Sequence, residues 1–180
     1  MAVLPDVLEP GLKVVFCGTA AGTQSAQAGA YYAGRGNQFW KVLLQVGLAP
    51  RQFAPHEFHT LPKYGVGFTD LAKTYSGPDD GLLSSDFDAA GLLSKIRRFA
   101  PQALAFNGKR AAKGFYDRKR VDYGRQPNPI RSTVVFVLPS TSGAARRYWD
   151  ESYWRELADF LDTTRRAAGP RMKTQRLMYE

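Results

Sequence analysis

Four apolar residues, Val14-Val15-Phe16-Cys17, run directly into a stretch of small ones, Gly18-Thr19-Ala20-Ala21-Gly22, and a helix-like segment follows from Asn37. An uninterrupted apolar run of this length reads as a strand buried on both faces, as in parallel sheets. A small-residue loop at the carboxyl end of such a strand is where open α/β sheets bind ligands. The chain is therefore expected to build a sheet with its functional residues along one edge.

The same alternation continues along the chain. Lys13 to Cys17 is the first predicted strand and Tyr64 to Leu71 a second, interrupted by Gly65 and Gly67. Ala103 to Phe106 and the β-branched run Thr133 to Leu138 complete the set, Pro139 ending the last. Between them, Asn37 is placed to cap a helix carrying Phe39, Trp40, Leu43 and Val46, with Gly47 ending it. Asp86 opens a helix with Phe87, Ala90, Leu93 and Ile96 at helical spacing, and another starts near Arg110. Pro50 to Lys63 and Thr74 to Ser85 read as irregular or loop. The last helix shows Trp154, Leu157 and Leu161 on one side. Strands alternating with helices predict a three-layer α/β/α sandwich around a central, mainly parallel sheet. Right-handed crossovers then bring several strand-end loops to one edge. One domain over residues 1–180 is expected, with 1–10 as a lead-in and a basic, partly disordered tail from Thr163.

Charge narrows the partners. Lys and Arg number 25 against 16 Asp and Glu, a net charge of +9, which favours a polyanion such as nucleic acid over neutral or acidic partners. Residues Lys109 to Arg125 concentrate that excess, with seven Lys or Arg against two Asp. No apolar stretch approaches the roughly 20 residues that span a bilayer, and no signal peptide is recognisable, so a cytoplasmic protein without a membrane partner is expected. Cys17 is the single cysteine, which removes internal disulfides and cysteine-ligated clusters and reads as a buried packing residue. His56 and His59 lack a carboxylate cluster to complete a metal site, so neither metal nor cofactor is expected. Trp40, Trp149 and Trp154 read as core anchors.

Beyond these patterns, Gly18 to Trp40 resembles without a gap the first active-site motif of the mismatch-specific uracil/thymine-DNA glycosylases, Gly-Ile-Asn-Pro-Gly leading through an aromatic to Asn-x-Phe-Trp. Gly65-Val-Gly-Phe-Thr-Asp70-Leu is similar to that family's Gly-x-Gly-Phe-Thr-Asn segment, and Phe106-Asn-Gly-Lys109 to its Phe-Asn-Gly-Lys strand end. Leu138-Pro-Ser-Thr-Ser-Gly-Ala-Ala-Arg146 resembles its second motif, Pro-Ser-Ser-Ser-Ala-Arg. The resemblance runs in the family's order from about Val14 to Leu161. It implies a uracil-DNA glycosylase-like fold and a base-excision glycosylase; oligomeric state stays open, with a monomer as the default expectation. Such an enzyme flips a damaged or mispaired base out of DNA and hydrolyses its N-glycosidic bond; the expected base is uracil, chiefly from G:U mispairs, with other damaged pyrimidines open, and the expected route is direct hydrolysis without a metal or a Schiff-base lysine.

The resemblance also assigns roles. Tyr32 takes the family's base-stacking position, with packing against the sheet as the alternative for Tyr31 or Tyr32. Main-chain N–H groups at Thr19 and Ala20 are placed to stabilise the departing base anion. Ser140 and Ser142 fall where the family contacts phosphate, Ser25 and Lys109 are further phosphate candidates, and Gly143, Ala144 and Ala145 take the place of the wedge. Two departures matter. The family's catalytic Asn is Ala20, which has no side-chain hydrogen bond to offer. Relatives place Leu or Arg at Ala144, so Arg146 or Arg147 becomes a substitute wedge.

Asp70 is the candidate that replaces the missing Asn as general base, with capping of the following turn as its structural alternative. Two rival functions stand beside the glycosylase. One is a catalytically weak or silent DNA-damage binder, which Ala20 favours. The other is a nucleotide-binding enzyme using Gly18 to Gly22, which the lack of G-x-G-x-x-G or G-x-x-x-x-G-K-[ST] argues against.

Overall fold

The computed structural model describes residues 1–167. Its centre is a five-stranded sheet in the order β2-β1-β3-β5-β4. Strands β1 (Val14–Ala21), β2 (Val66–Ser76), β3 (Ala103–Asn107) and β5 (Val134–Leu138) are mutually parallel, and the two-residue β4 (Gly124–Arg125) closes the far edge antiparallel to β5. β1 lies inside the sheet with neighbours on both sides, which is why Val14 to Cys17 must be apolar throughout.

Side chains alternate between two cores. Val14, Phe16, Phe68, Ala105 and Phe136 point to the face covered by α2 (Phe39–Gln45) and α5 (Ser152–Ala167), which contribute Phe39, Leu43, Trp154, Leu157 and Leu161. Val15, Cys17, Leu104, Val135 and Val137 point to the opposite face, under α3 (Ala89–Phe99) and α4 (Lys109–Tyr116). The result is the expected three-layer α/β/α arrangement. Trp154, fully buried, stacks on Phe16 and donates its indole N–H to Pro139 O at 3.0 Å, so one residue fastens α5 to the sheet and to the end of β5. Truncating such a side chain costs about 3–5 kcal/mol.

Several boundaries differ from those the sequence suggests. β1 does not end at Cys17; it continues through Gly18, Thr19, Ala20 and Ala21, paired with Asp70, Ala72 and Ser76 of β2 and bulged between Ala20 and Ala21. The small residues there serve close approach between strands rather than a turn. A short helix, α1 (Thr23–Ala28), follows and stops at Gly29 in the left-handed region (φ 62°). β2 likewise runs past Leu71 to Ser76, and two 3-10 turns, Asp79–Gly81 and Ser84–Asp86, follow in the expected loop. Pro55–Tyr64, expected to be irregular, is also 3-10. Helix α3 starts after Asp88, whose carboxylate accepts from Gly91 N at 2.8 Å, and buries Leu92 rather than Leu93 beside Ile96. Asn37 Oδ1 accepts from Phe39 N at 3.0 Å at the start of α2.

The lead-in is part of the fold. Val7 pairs antiparallel with Phe68, Val3 N donates to Lys73 O at 2.8 Å, and Leu4 is buried. This segment covers the otherwise open edge of β2. At the other end, residues 163–167 of the expected tail continue α5, and 168–180 lie outside the described residues. No helix among the described residues is long and apolar enough to cross a membrane.

Candidate active site

The carboxyl ends of the parallel strands open into one cleft of about 1050 Å³. Gly18, Thr19, Ala20 and Ala21 of β1, Asp70 of β2 and Asn107 of β3 form its inner wall. The turn after β5, Ser140 to Ala145, and the segment from Thr23 to Tyr32 bring its other sides together. Several strand ends thus converge on one cleft, and Asp70 reaches it from within β2 rather than from a loop.

Asp70 is the most unusual group there. It sits opposite Gly18 in the β1–β2 register and is 6% exposed. A Cβ built on Gly18 would stand 2.6 Å from Asp70 Oδ1, so the carboxylate occupies the space that a glycine leaves. Burial pushes its carboxyl up to about 7, with Lys73 opposing and Asp6 and Asp79 reinforcing the shift. Thr69, next in sequence, donates its hydroxyl to Asp6 Oδ1 at 2.7 Å, and Asp6 is paired with Lys73 at 2.8 Å and Lys95 at 2.7 Å. That network occupies the cations nearest Asp70. Its own carboxylate has no ion pair and no hydrogen bond with the described residues, and capping of the following turn is not its role in this structure.

Tyr32 lines the same cleft with a left-handed backbone (φ 52°), a conformation unusual for a bulky residue. Phe39 stacks on one face of its ring, centroids 4.0 Å apart. The ring is half-buried, whereas the hydroxyl is buried without a hydrogen-bond partner among the described residues. Burial and the nearby Asp70 push the phenol well above its ordinary range, so it keeps its proton. Tyr31, in contrast, is a core residue: it stacks on Phe68 and donates to Pro5 O at 3.0 Å.

The second motif is held from beneath. Asn107 Nδ2 donates to Thr141 Oγ1 at 2.8 Å, and Thr141 N donates back to Asn107 Oδ1 at 3.1 Å. Gln38 N donates to Thr141 O at 2.9 Å, tying α2 to the same turn. Ser142 Oγ accepts from Ala144 N at 3.4 Å and caps a 3-10 turn over Gly143–Tyr148, while Ser140 Oγ accepts from Ser142 N at 3.2 Å. Ser25, buried, accepts from Ala33 N at 3.0 Å and so fixes the chain leading out of Tyr32. Lys109 lies over the Tyr123 ring at 4.2 Å on the cleft's edge.

Not every expected residue reaches the cleft. Arg146 turns to a smaller neighbouring pocket of about 410 Å³, shared with Lys41 and Trp149, and Arg147 lies over Tyr148 at 4.6 Å. Ala144 and Ala145 do line it. Asn107 and Tyr148 are lining residues that sequence reasoning left without a role. Asn107 was legible in the Phe-Asn-Gly-Lys stretch; nothing in the sequence marks Tyr148. Among the described residues no group of three or more His, Cys, Asp or Glu is placed to hold a metal.

A parallel sheet whose strand ends converge on a cleft, with a buried carboxylate and a half-buried tyrosine in its wall, is the layout of an open α/β domain with its site at the carboxyl edge of the sheet. The family model of the Uracil DNA glycosylase superfamily matches residues 5–161, and the chain belongs to that superfamily. Its glycosylases are hydrolases that act on DNA, and membership supports a DNA glycosylase role here. The chain is also similar to the solution NMR structure of a putative uracil DNA glycosylase from Methanosarcina acetivorans, with a TM-score of 0.63 and 23% identity over 88% of this chain and 96% of that one. At this identity the likeness bears on the fold.

Proposed function

We propose that this protein is a monofunctional DNA glycosylase that removes uracil, chiefly from G:U mispairs, with Asp70 as its general base. The observation that carries the reading is the Asp70 carboxylate, buried in the cleft wall, free of partners among the described residues and titrating at about 7. A base poised near the working pH combines adequate ionisation with proton affinity. Water donates its proton to Asp70 as its oxygen bonds to C1′, and the C1′–N bond breaks with both electrons leaving on the base. The ionised carboxylate also offsets positive charge growing on the sugar. Tyr32 offers the extruded base a ring face opposite the one that Phe39 covers. The main-chain N–H of the Thr19–Ala20 stretch that faces away from β2, together with the Ser140 to Ala145 turn, receives base oxygens and phosphate.

The test is release of uracil from duplexes carrying G:U, read as alkali-sensitive strand breaks, for the full chain and for Asp70→Asn. Loss of about 100- to 10,000-fold in rate is expected, the usual contribution of a positioned base. Equal rates would remove Asp70 from the mechanism. A second reading rests on Ala20, which gives the family's Asn position no polar side chain: a binder of damaged DNA without catalysis. Tight binding to abasic or uracil-containing duplex with no strand breaks would establish it.

A further inference from the structure

Base flipping leaves a gap in the duplex that an inserted side chain can fill. Ala144, at the expected wedge position, ends in a methyl group, Arg146 turns toward the neighbouring pocket and Arg147 lies on Tyr148. Among the described residues the exposed large hydrophobic side chains are Met1, Leu44, Leu83 and Tyr148; of these, Tyr148 alone lines the cleft. We propose that Tyr148 is the wedge of this protein, its ring entering the base stack beside the extruded nucleotide in duplex DNA. The proposal rests on the glycosylase reading and adds the residue that decides its duplex preference.

The mount is rigid enough for the task. Tyr148 ends the same 3-10 turn that Ser142 caps. Behind that turn, Thr141 is clamped by Asn107, and after it Trp149 N donates to Arg146 O at 3.1 Å while the Trp149 ring packs near Trp154. Tyr148 is 54% exposed, so much of it is free to meet a partner. Arg147 hydrogen-bonds the Tyr148 hydroxyl and places its guanidinium over the ring, which brings a phosphate-seeking charge to the wedge itself. An aromatic ring stacks on any base, so this wedge reads the gap rather than the sequence.

The experiment uses the full chain and its Tyr148→Ala and Tyr148→Phe variants on uracil placed beside 2-aminopurine, in duplex and as a single strand. Tyr148→Ala is expected to lower the ratio of duplex to single-strand rate about tenfold, the scale of one lost base stack, with Tyr148→Phe within about twofold of the parent. The rise in 2-aminopurine fluorescence on binding duplex is expected to vanish in Tyr148→Ala alone. A ratio and a fluorescence rise unchanged in Tyr148→Ala would overturn the proposal. If the parent chain releases no uracil from either substrate, the glycosylase reading fails by itself. The wedge is then judged by fluorescence alone: a parental rise lost in Tyr148→Ala supports it, and no rise or an unaltered one ends it.

Discussion

The Asp70 carboxylate lies against the α-carbon of Gly18, where a Cβ would come within 2.6 Å of Oδ1. Gly18 has no left-handed backbone, so its lack of a side chain is needed for space and not for conformation. The contact joins two adjacent parallel strands at the cleft wall and fixes where the carboxylate can sit.

Gly18→Ala is therefore expected to fold and to displace Asp70. Overpacking of this kind costs about 1–3 kcal/mol. Displacement of a reacting group by an ångström lowers rate about 100-fold. Thermal denaturation and uracil release, measured together, check both. An alanine variant with parental activity would mean that the position of Asp70 is not critical.

The titration of Asp70 has opposite effects on activity and on stability. Its carboxyl is raised from 3.8 to about 7 in the folded chain, so the folded state binds this proton more tightly than the unfolded one. The associated stabilisation is fully present below 3.8, declines as pH rises, and is gone above about 7, a loss of roughly 4 kcal/mol at 1.36 kcal/mol per unit. Asp70→Asn, which cannot ionise, is expected to match the parent near pH 4 and to exceed it in melting temperature by pH 8. Activity of the parent should rise through pH 7 and level off above it. Denaturation midpoints and single-turnover rates from pH 4 to pH 9 provide the check.

Asn107 is the pin of the second motif, since it both donates to and accepts from Thr141. Asn107→Ala leaves the Thr141 N–H without a partner in a buried place, at about 1–3 kcal/mol. Urea denaturation is expected to show that loss. Affinity for abasic duplex should fall as well, because the Ser140 to Ala145 turn loses its anchor.

What the sequence disclosed was periodic: Val14 to Cys17 lie in a buried strand, the run from Thr133 holds the strand Val134–Leu138, and Trp154, Leu157 and Leu161 share one buried helix side. Its errors occur where tertiary pairing overrode local chemistry. Gly18 to Ala21 carries turn-like composition, yet β2 lies alongside and supplies its backbone with partners, so the segment stays extended. Leu4 and Val7 sit among Pro and acidic residues that read only as a lead-in, but the open edge of β2 recruits them. Asp70 was legible because it follows an apolar run. Tyr148 was not, because exposure is decided by packing that no local pattern records.

Ala20 supplies the sharpest test of how the site works. Its side chain is half-exposed, it lines the cleft, and its strand neighbour across the β1–β2 ladder is the small Ala72. An asparagine at this position would restore the hydrogen-bonding group that the family resemblance places there. If Asp70 has taken over the holding of water, Ala20→Asn alone should change the rate by less than about tenfold, since one positioned group already serves. In the Asp70→Asn background the same substitution should recover activity by at least about tenfold, because an amide then stands at the position from which the family resemblance has water oriented, while the amide at position 70 cannot take up a proton. The two effects are non-additive by construction, as expected for groups that share one task. Single-turnover release of uracil by the parent, the two single variants and the double variant measures the coupling. Additive effects would assign Asp70 and position 20 to separate steps.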